Sequence, residues 1–391
     1  MDPQCSVLIV QNQRTILKVQ SQCESPFDVL DGANVDFLSE ECNVYRVRIS
    51  RPSSSSTTDT YVRVSTRSCS PRSLQHVEEN GRRYCDQNYF MPNDDAELTR
   101  LNIVHQIYLI LLEGRLTTAP IPTSSPRILD IGTGPGDWAI EMSTKYPEAT
   151  IIASDIGVFD AGLGHMSLPN IDFQISDAET PWTYHEPFDL IHLRGLSGAF
   201  ANWPRIYQQA YTHLKPGGYI EVADADPAGD TVLASPETAP HLCAYAAALR
   251  QAGDNCGHPR DLGHLRTEVL AEAGFEAIRA VERTFPVGLW PEDDDEKTIG
   301  KMALIAALEG LEAFALRPLT QSAGYSLDEA RKLCGDVQTE LLAPDQRLTG
   351  RIRIMTGRKP TSYAQRRSQV MARAMQKVKD LQGSLPVETD H

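Results

Sequence analysis

Long apolar runs are missing from this chain. The longest, around Ile107–Leu112, is the size of a buried helix segment and too short to span a bilayer. Met1–Val10 lacks the basic start and extended apolar core of a secretory signal. The eight cysteines (5, 23, 42, 69, 85, 243, 256 and 334) form no Cys-x-x-Cys pair, which removes the usual zinc and disulfide frameworks and leaves reduced thiols as the expectation. Basic residues are also short: 37 Lys and Arg stand against 52 Asp and Glu, for a net charge of −15. That balance argues against an electrostatic grip on nucleic acid. The expectation is a protein of the cytoplasm, with the nucleus as the alternative, holding no metal and no membrane contact.

What is present is ample material for a core, since 41% of 391 residues are hydrophobic. Residues 1–75 form a region of their own. Alternating segments at Ser6–Val10, Thr15–Val19, Val44–Ile49 and Tyr61–Val64 read as short strands, separated by serine-rich tracts at 53–58 and 65–73. A small β module and a loosely ordered arm both fit this pattern. From 76 to 125 the pattern is helical: Leu98, Leu101, Val104, Tyr108 and Leu111 follow Asp94 and Asp95 at the spacing of one buried face. From Pro126 strands alternate with helices, the pattern of a parallel α/β sheet. The expected strands are Arg127–Ile131, Thr150–Asp155, Ile171–Ser176, Phe188–Arg194 and Tyr219–Ala223, then one near Phe275–Val287 and a last one at Arg351–Thr356. A helical insertion at 296–342 precedes the last strand, and 361–391 is a tail. Within it, Arg366, Arg367, Arg373, Lys377 and Lys379 surround an apolar stripe in the manner of a basic amphipathic helix; a solvated terminal helix is the commoner outcome for such a pattern.

The densest signal is Leu129-Asp130-Ile131-Gly132-Thr133-Gly134-Pro135-Gly136-Asp137-Trp138. An apolar strand runs into three glycines and then a helix, so that a ligand can approach the backbone with no Cβ in the way. The spacing is not that of a dinucleotide fingerprint, whose third glycine would fall at Asp137, where an acid would repel a pyrophosphate. Acids also end the next two strands. Asp155 is placed to accept both ribose hydroxyls of a nucleoside, and Asp177, followed by Ala178, to accept an adenine amine. Any one of these acids alone reads as a cap or a solvated strand end. Three in succession beside a glycine turn point to a positively charged nucleoside.

The stretches Leu129–Gly134, Trp138-Ala139-Ile140, Asp177-Ala178-Glu179, Phe188–Arg194, Asn202-Trp203-Pro204 and Leu214–Glu221 together resemble the LaeA-like class I methyltransferases of filamentous fungi. So do Glu79–Tyr84, Pro92-Asn93-Asp94, His105, Trp290-Pro291, Leu308–Leu311 and Gly357–Pro360 on either side, so the likeness spans roughly 76–360. It departs from the family at Pro135 and Asp137, and it finds no counterpart for 1–75 or for the tail. The resemblance implies a Rossmann-like sheet with an N-terminal helical cap and a helical lid inserted before the last strand, binding S-adenosylmethionine. The residues expected at the cofactor are Asp130, Gly132, Gly134, Gly136, Asp155, Asp177, Ala178 and Tyr89. His105, His192 and Arg194 are the catalytic candidates. For His192 a hydrogen-bonded core histidine is the competing reading, for His105 a helix-packing histidine, and for Arg194 an ion pair with an acid such as Asp177. The apolar run Lys301–Leu319 suggests a roof over a hydrophobic small molecule, or a homodimer surface. Three functions stay open: methylation of a secondary metabolite at oxygen, nitrogen or carbon; regulation of secondary metabolism with nuclear partners; and a non-methylating reaction on the same scaffold.

Overall fold

The computed structural model describes residues 76–361 apart from 123, 158, 160–167 and 230, the strands within 35–66, and residue 367. Three strands, β1 (Val35–Ser39), β2 (Val44–Ile49) and β3 (Thr60–Thr66), form an antiparallel meander, and a small hairpin follows in β4 (Val77–Glu79) and β5 (Arg82–Tyr84). Helix α1 (Asp95–Leu111) starts where Asp94, its N-cap, accepts from the backbone N–H of Glu97. The central alternation is β6 (Arg127–Ile131), α2 (Asp137–Lys145), β7 (Thr150–Asp155), β8 (Ile171–Ile175), β9 (Phe188–Arg194), α3 (Trp203–His213) and β10 (Leu214–Asp224). Then come β11 (Val232–Leu233), α4 (Pro240–Cys256), α5 (Thr267–Glu272), β12 (Glu276–Val287), α6 (Asp294–Ser322), α7 (Leu327–Leu341) and β13 (Leu348–Arg358).

Strands β8, β7, β6, β9 and β10 lie side by side in parallel, and β13 enters antiparallel between β10 and β12. This is the Rossmann-like sheet that the family pattern implied. Its crossover reversal at β6 brings the ends of β6, β7 and β9 to one edge, the usual place for a ligand in such sheets. Several features differ from the expectation, the first being that the segment 76–125, expected to be helical, opens with the hairpin β4–β5. Strand β3 pairs in parallel with β8, so the meander extends the main sheet. Strand β10 begins at Leu214, earlier than expected, because its pairing with β9 slips between Leu214 and Tyr219 and takes up Lys215-Pro-Gly-Gly as an irregularity. The segments Ser6–Val10 and Thr15–Val19, most of the serine-rich tracts and the basic tail helix lie outside the described residues.

Apolar side chains of the sheet are covered on both faces. Met142 and Trp138 of α2 pack with Ile128, Ile151 and Leu190 on one side. Ile206, Tyr207 and Ala210 of α3 pack with Leu129, Ile191 and Ile220 on the other. A third core joins α4, α6 and α7 with Ile107 of α1, making the cap and lid one helical layer over the ligand edge. Helix α7 is fixed at its start by a capping box between Ser326 and Glu329. Among the described residues no helix is long and apolar enough to cross a membrane.

Candidate active site

The turn after β6 is built from backbone. Gly132 and Gly134 have φ of +67° and +55°, in the left-handed region that favours glycine, and a Cβ on Gly132 would collide with Leu196. Asp130, almost fully buried at the end of β6, accepts from Thr133 Oγ1 at 2.7 Å and contacts His192 Nδ1 at 2.7 Å. A carboxylate only accepts, so the proton of that imidazole sits on Nδ1. The His192 ring lies flat on Trp138, 3.8 Å between centroids and 3° between planes, and Trp138 Nε1 donates to Leu116 O at 2.6 Å. His192 is thus a held core histidine with one face toward the cavity. Gly136 caps α2 with φ of +89°, and Asp137 follows in its first turn.

Asp155, at the end of β7, accepts from Gly134 N at 2.8 Å and Gly157 N at 3.0 Å. Burial nevertheless pushes its carboxyl above the usual range. Asp177, past β8, accepts from Glu179 N at 2.8 Å and shapes a turn closed by Thr180 N on its own carbonyl. The Ala178 carbonyl accepts from Trp182 Nε1 and Gln209 Nε2, which fixes the wall behind it. Two adjoining cavities result. One, of about 480 Å³, is bounded by Asp155, Asp177 and Ala178; the other, of about 260 Å³, by Asp130, Gly134 and the underside of α6. Tyr89, Phe90, Gly132, Asp155 and Leu196 line both.

Arg194 Nη2 donates to His105 Nδ1 at 3.0 Å, and its guanidinium sits 5.0 Å over the Tyr108 ring. It is directed at α1 and makes no ion pair with Asp177. Because an arginine cannot accept, His105 Nδ1 must, and its proton lies on Nε2, 3.3 Å from Glu141 Oε1. Burial, reinforced by the Arg194 charge, pushes His105 down to about 3. Of the three catalytic candidates, His192 and Arg194 border the cavity, while His105 lies behind Arg194 with its lone pair already engaged.

Other charged groups at the site were not selected from sequence. Glu97 and Arg100 form a buried bidentate pair at 2.6 and 2.7 Å on α1, a spacing of three that helix periodicity could have flagged. Asp226 and Arg260 form a second, at 3.0 Å for each bond. Arg317 of α6 donates to the carbonyls of Asp86 and Tyr89 and to Glu79, tying the lid to the segment that carries Tyr89. No local pattern announces that clamp. Among the described residues no cluster of His, Cys, Asp and Glu is arranged to hold a metal.

Comparison with known proteins adds the following. A family model described as a methyltransferase domain matches residues 103–280. The secondary metabolism regulator LAE1 of Cochliobolus heterostrophus is 34% identical over 302 residues, covering 74% of this chain and 97% of its own length. The methyltransferase pytC of Aspergillus terreus is 32% identical over 281 residues, covering 70% of this chain and 85% of its own. The probable methyltransferase tdiE of Emericella nidulans is 30% identical over 270 residues, with 68% and 83% covered.

Proposed function

The chain belongs to the LaeA-like family of S-adenosylmethionine-dependent methyltransferases, and from that premise we propose that it methylates a small, apolar secondary metabolite. The observation that carries the reading is the pairing of the two cavities. One has the strand-end acids that suit a nucleoside. The other leads from the glycine turn into a chamber walled by Val104, Leu242, Ala303, Ala306, Leu311 and Phe314.

The residues fit the cofactor. Around the smaller cavity, the described residues include six carboxylates (Glu97, Asp130, Asp137, Asp155, Asp224 and Asp226) against two guanidiniums, Arg100 and Arg194. That excess suits a sulfonium and an ammonium and opposes a pyrophosphate. In this reading Asp155 takes the ribose hydroxyls and Asp177 the adenine amine. Gly132, Gly134 and Gly136 give the backbone room, Asp130 and Ala178 hold the walls, and Tyr89 borders both cavities. Bound there, the cofactor supplies an activated methyl group. The protein's part is to align the acceptor and exclude water. His192 and Arg194 shape the cavity wall, and His105 keeps Arg194 oriented. The lid's apolar underside supports a hydrophobic acceptor. A homodimer through the apolar run Lys301–Leu319 is the proposed assembly. The cytoplasm is the proposed location.

A second reading, a regulator acting with nuclear partners, is favoured by the relative LAE1, which is matched over nearly its whole length. Incubating the full chain with methyl-labelled S-adenosylmethionine and a fungal extract separates the two. Label in a small organic molecule is the expected result, label in protein alone supports the regulator, and product formed without cofactor turnover supports a non-methylating reaction. Calorimetry in which NADH binds and S-adenosylhomocysteine does not would sink the cofactor reading.

A further inference from the structure

We propose that Asp224 and Ser197 form the docking point for the acceptor's reacting group, and that Asp224 takes the proton of a hydroxyl there, so that the chain is an O-methyltransferase. This rests on the methyltransferase reading above and narrows the acceptor to an apolar molecule bearing a hydroxyl.

Asp224 ends β10 and is 1% exposed, yet it borders the cavity under the lid. Its Oδ2 accepts from Leu196 N at 3.2 Å and also faces His264 Nε2, while Oδ1, among the described residues, accepts from Ala225 N alone at 2.9 Å, so Oδ1 keeps a lone pair for a ligand. Ser197, the residue after Leu196, is 4% exposed and borders the same cavity, and its Oγ has no hydrogen-bond partner among the described residues. A buried hydroxyl left unpaired is costly, and the loop cannot relieve it by shifting. On one side Gly195 N donates to Ala223 O at 2.9 Å. On the other, Gly198 packs against the side chain of Arg260, itself locked to Asp226. The pair is a fixed polar spot in the wall of the chamber.

A carboxylate only accepts, so the group opposite it must carry a hydrogen. A hydroxyl meets both partners at once, giving its hydrogen to Asp224 and accepting from Ser197. In the proton transfer the acceptor's O–H bond breaks, the proton goes to an Asp224 oxygen, and the electron pair stays on the acceptor oxygen, which becomes the nucleophile. His264 Nε2 lies 3.2 Å from Asp224 Oδ2, and the His264 ring is stacked on Trp203 at 3.9 Å. It serves as a positioning residue. The other titratable groups near Asp224 are Tyr108 of α1, Tyr207 of α3 and Tyr89 of the closing segment, with Arg194 of β9 in the same wall.

The test uses the full chain saturated with S-adenosylhomocysteine and three probes: 2-naphthol, its methyl ether and 2-naphthylamine. Naphthol should bind about tenfold more tightly than the ether or the amine. In Asp224→Asn, which keeps an oxygen for Leu196 N, that preference for naphthol should vanish while S-adenosylhomocysteine affinity stays within about twofold. Ser197→Ala should weaken naphthol about tenfold and leave the unliganded Tm unchanged or higher, since an unpaired buried hydroxyl has been removed. His264→Gln should reduce the preference for naphthol without abolishing it. The proposal is overturned by absent naphthol binding, by ether or amine binding as tightly as naphthol, or by the naphthol preference persisting in Asp224→Asn. It is equally overturned by a Ser197→Ala protein of lower Tm and unchanged naphthol affinity. If S-adenosylhomocysteine itself does not bind, the parent reading fails as well; if it binds and the probes fail, only this inference falls.

Discussion

The end of β6 and the turn at Gly132–Gly136 take their contacts from the two strands that flank β6: Asp155 of β7 reaches Gly134, and His192 of β9 reaches Asp130. The lid reaches a far more distant segment, with Arg317 crossing 231 positions to the Asp86 carbonyl, and is also tied helix to helix, with Tyr245 of α4 donating to Leu311 O of α6 at 2.7 Å. On the turn side, positive-φ glycines and strand-end acids do the work, and few substitutions can be absorbed there. On the lid side, alanines and leucines of three helices define a volume, and volume can be retuned one side chain at a time. The difference teaches that cofactor and acceptor recognition can be altered separately in this molecule.

Gly132→Ala puts the strongest strain on that contrast. The added Cβ collides with Leu196 and meets a left-handed backbone, so S-adenosylhomocysteine affinity should fall by roughly 100-fold, with a lower Tm, as read by calorimetry and thermal denaturation. Unchanged binding would mean that the turn is not the cofactor's cradle.

An effect of intermediate size is expected at the seam between the two regions, where His105 meets Arg194. The native state holds this imidazole neutral, down at about 3, whereas the unfolded chain takes up the proton below about 6.5. Its contribution to stability is therefore complete above the unfolded value and is lost as pH falls toward the folded one. Urea titrations at about pH 7 and about pH 5 should find the wild-type loss larger than that of His105→Gln by roughly 2 kcal/mol. Equal losses would show that His105 is not held neutral.

The smallest change is expected from Ala307→Phe, which fills the chamber beneath α6. Acceptor KM should rise about tenfold while S-adenosylhomocysteine affinity moves less than about twofold. A matching loss of both would erase the separation drawn here.

Much of the cofactor side was legible because its signals are local. The run Leu129–Trp138 carries strand, turn and helix start within ten residues, and Asp155 and Asp177 follow apolar stretches that could only be strands. His192 and Arg194 stand two apart on β9, and their partners were not foreseeable. Trp138 lies against His192, and His105 against Arg194, only because α2, β9 and α1 pack together. Asp224 ends β10, but its relation to Ser197 and His264 was not foreseeable, since those residues come from separate parts of the chain.

By itself the sequence determined the alternation of strand and helix, the glycine turn and the acids that end β7 and β8, because backbone periodicity and φ preference act over a few residues. Only the tertiary structure decided the insertion of β13 between β10 and β12, the clamp of Arg317 and the polar spot in the wall of the acceptor chamber. Each of these depends on side chains brought together by burial of distant apolar faces, and the hydrophobic effect that drives such burial specifies area without naming partners.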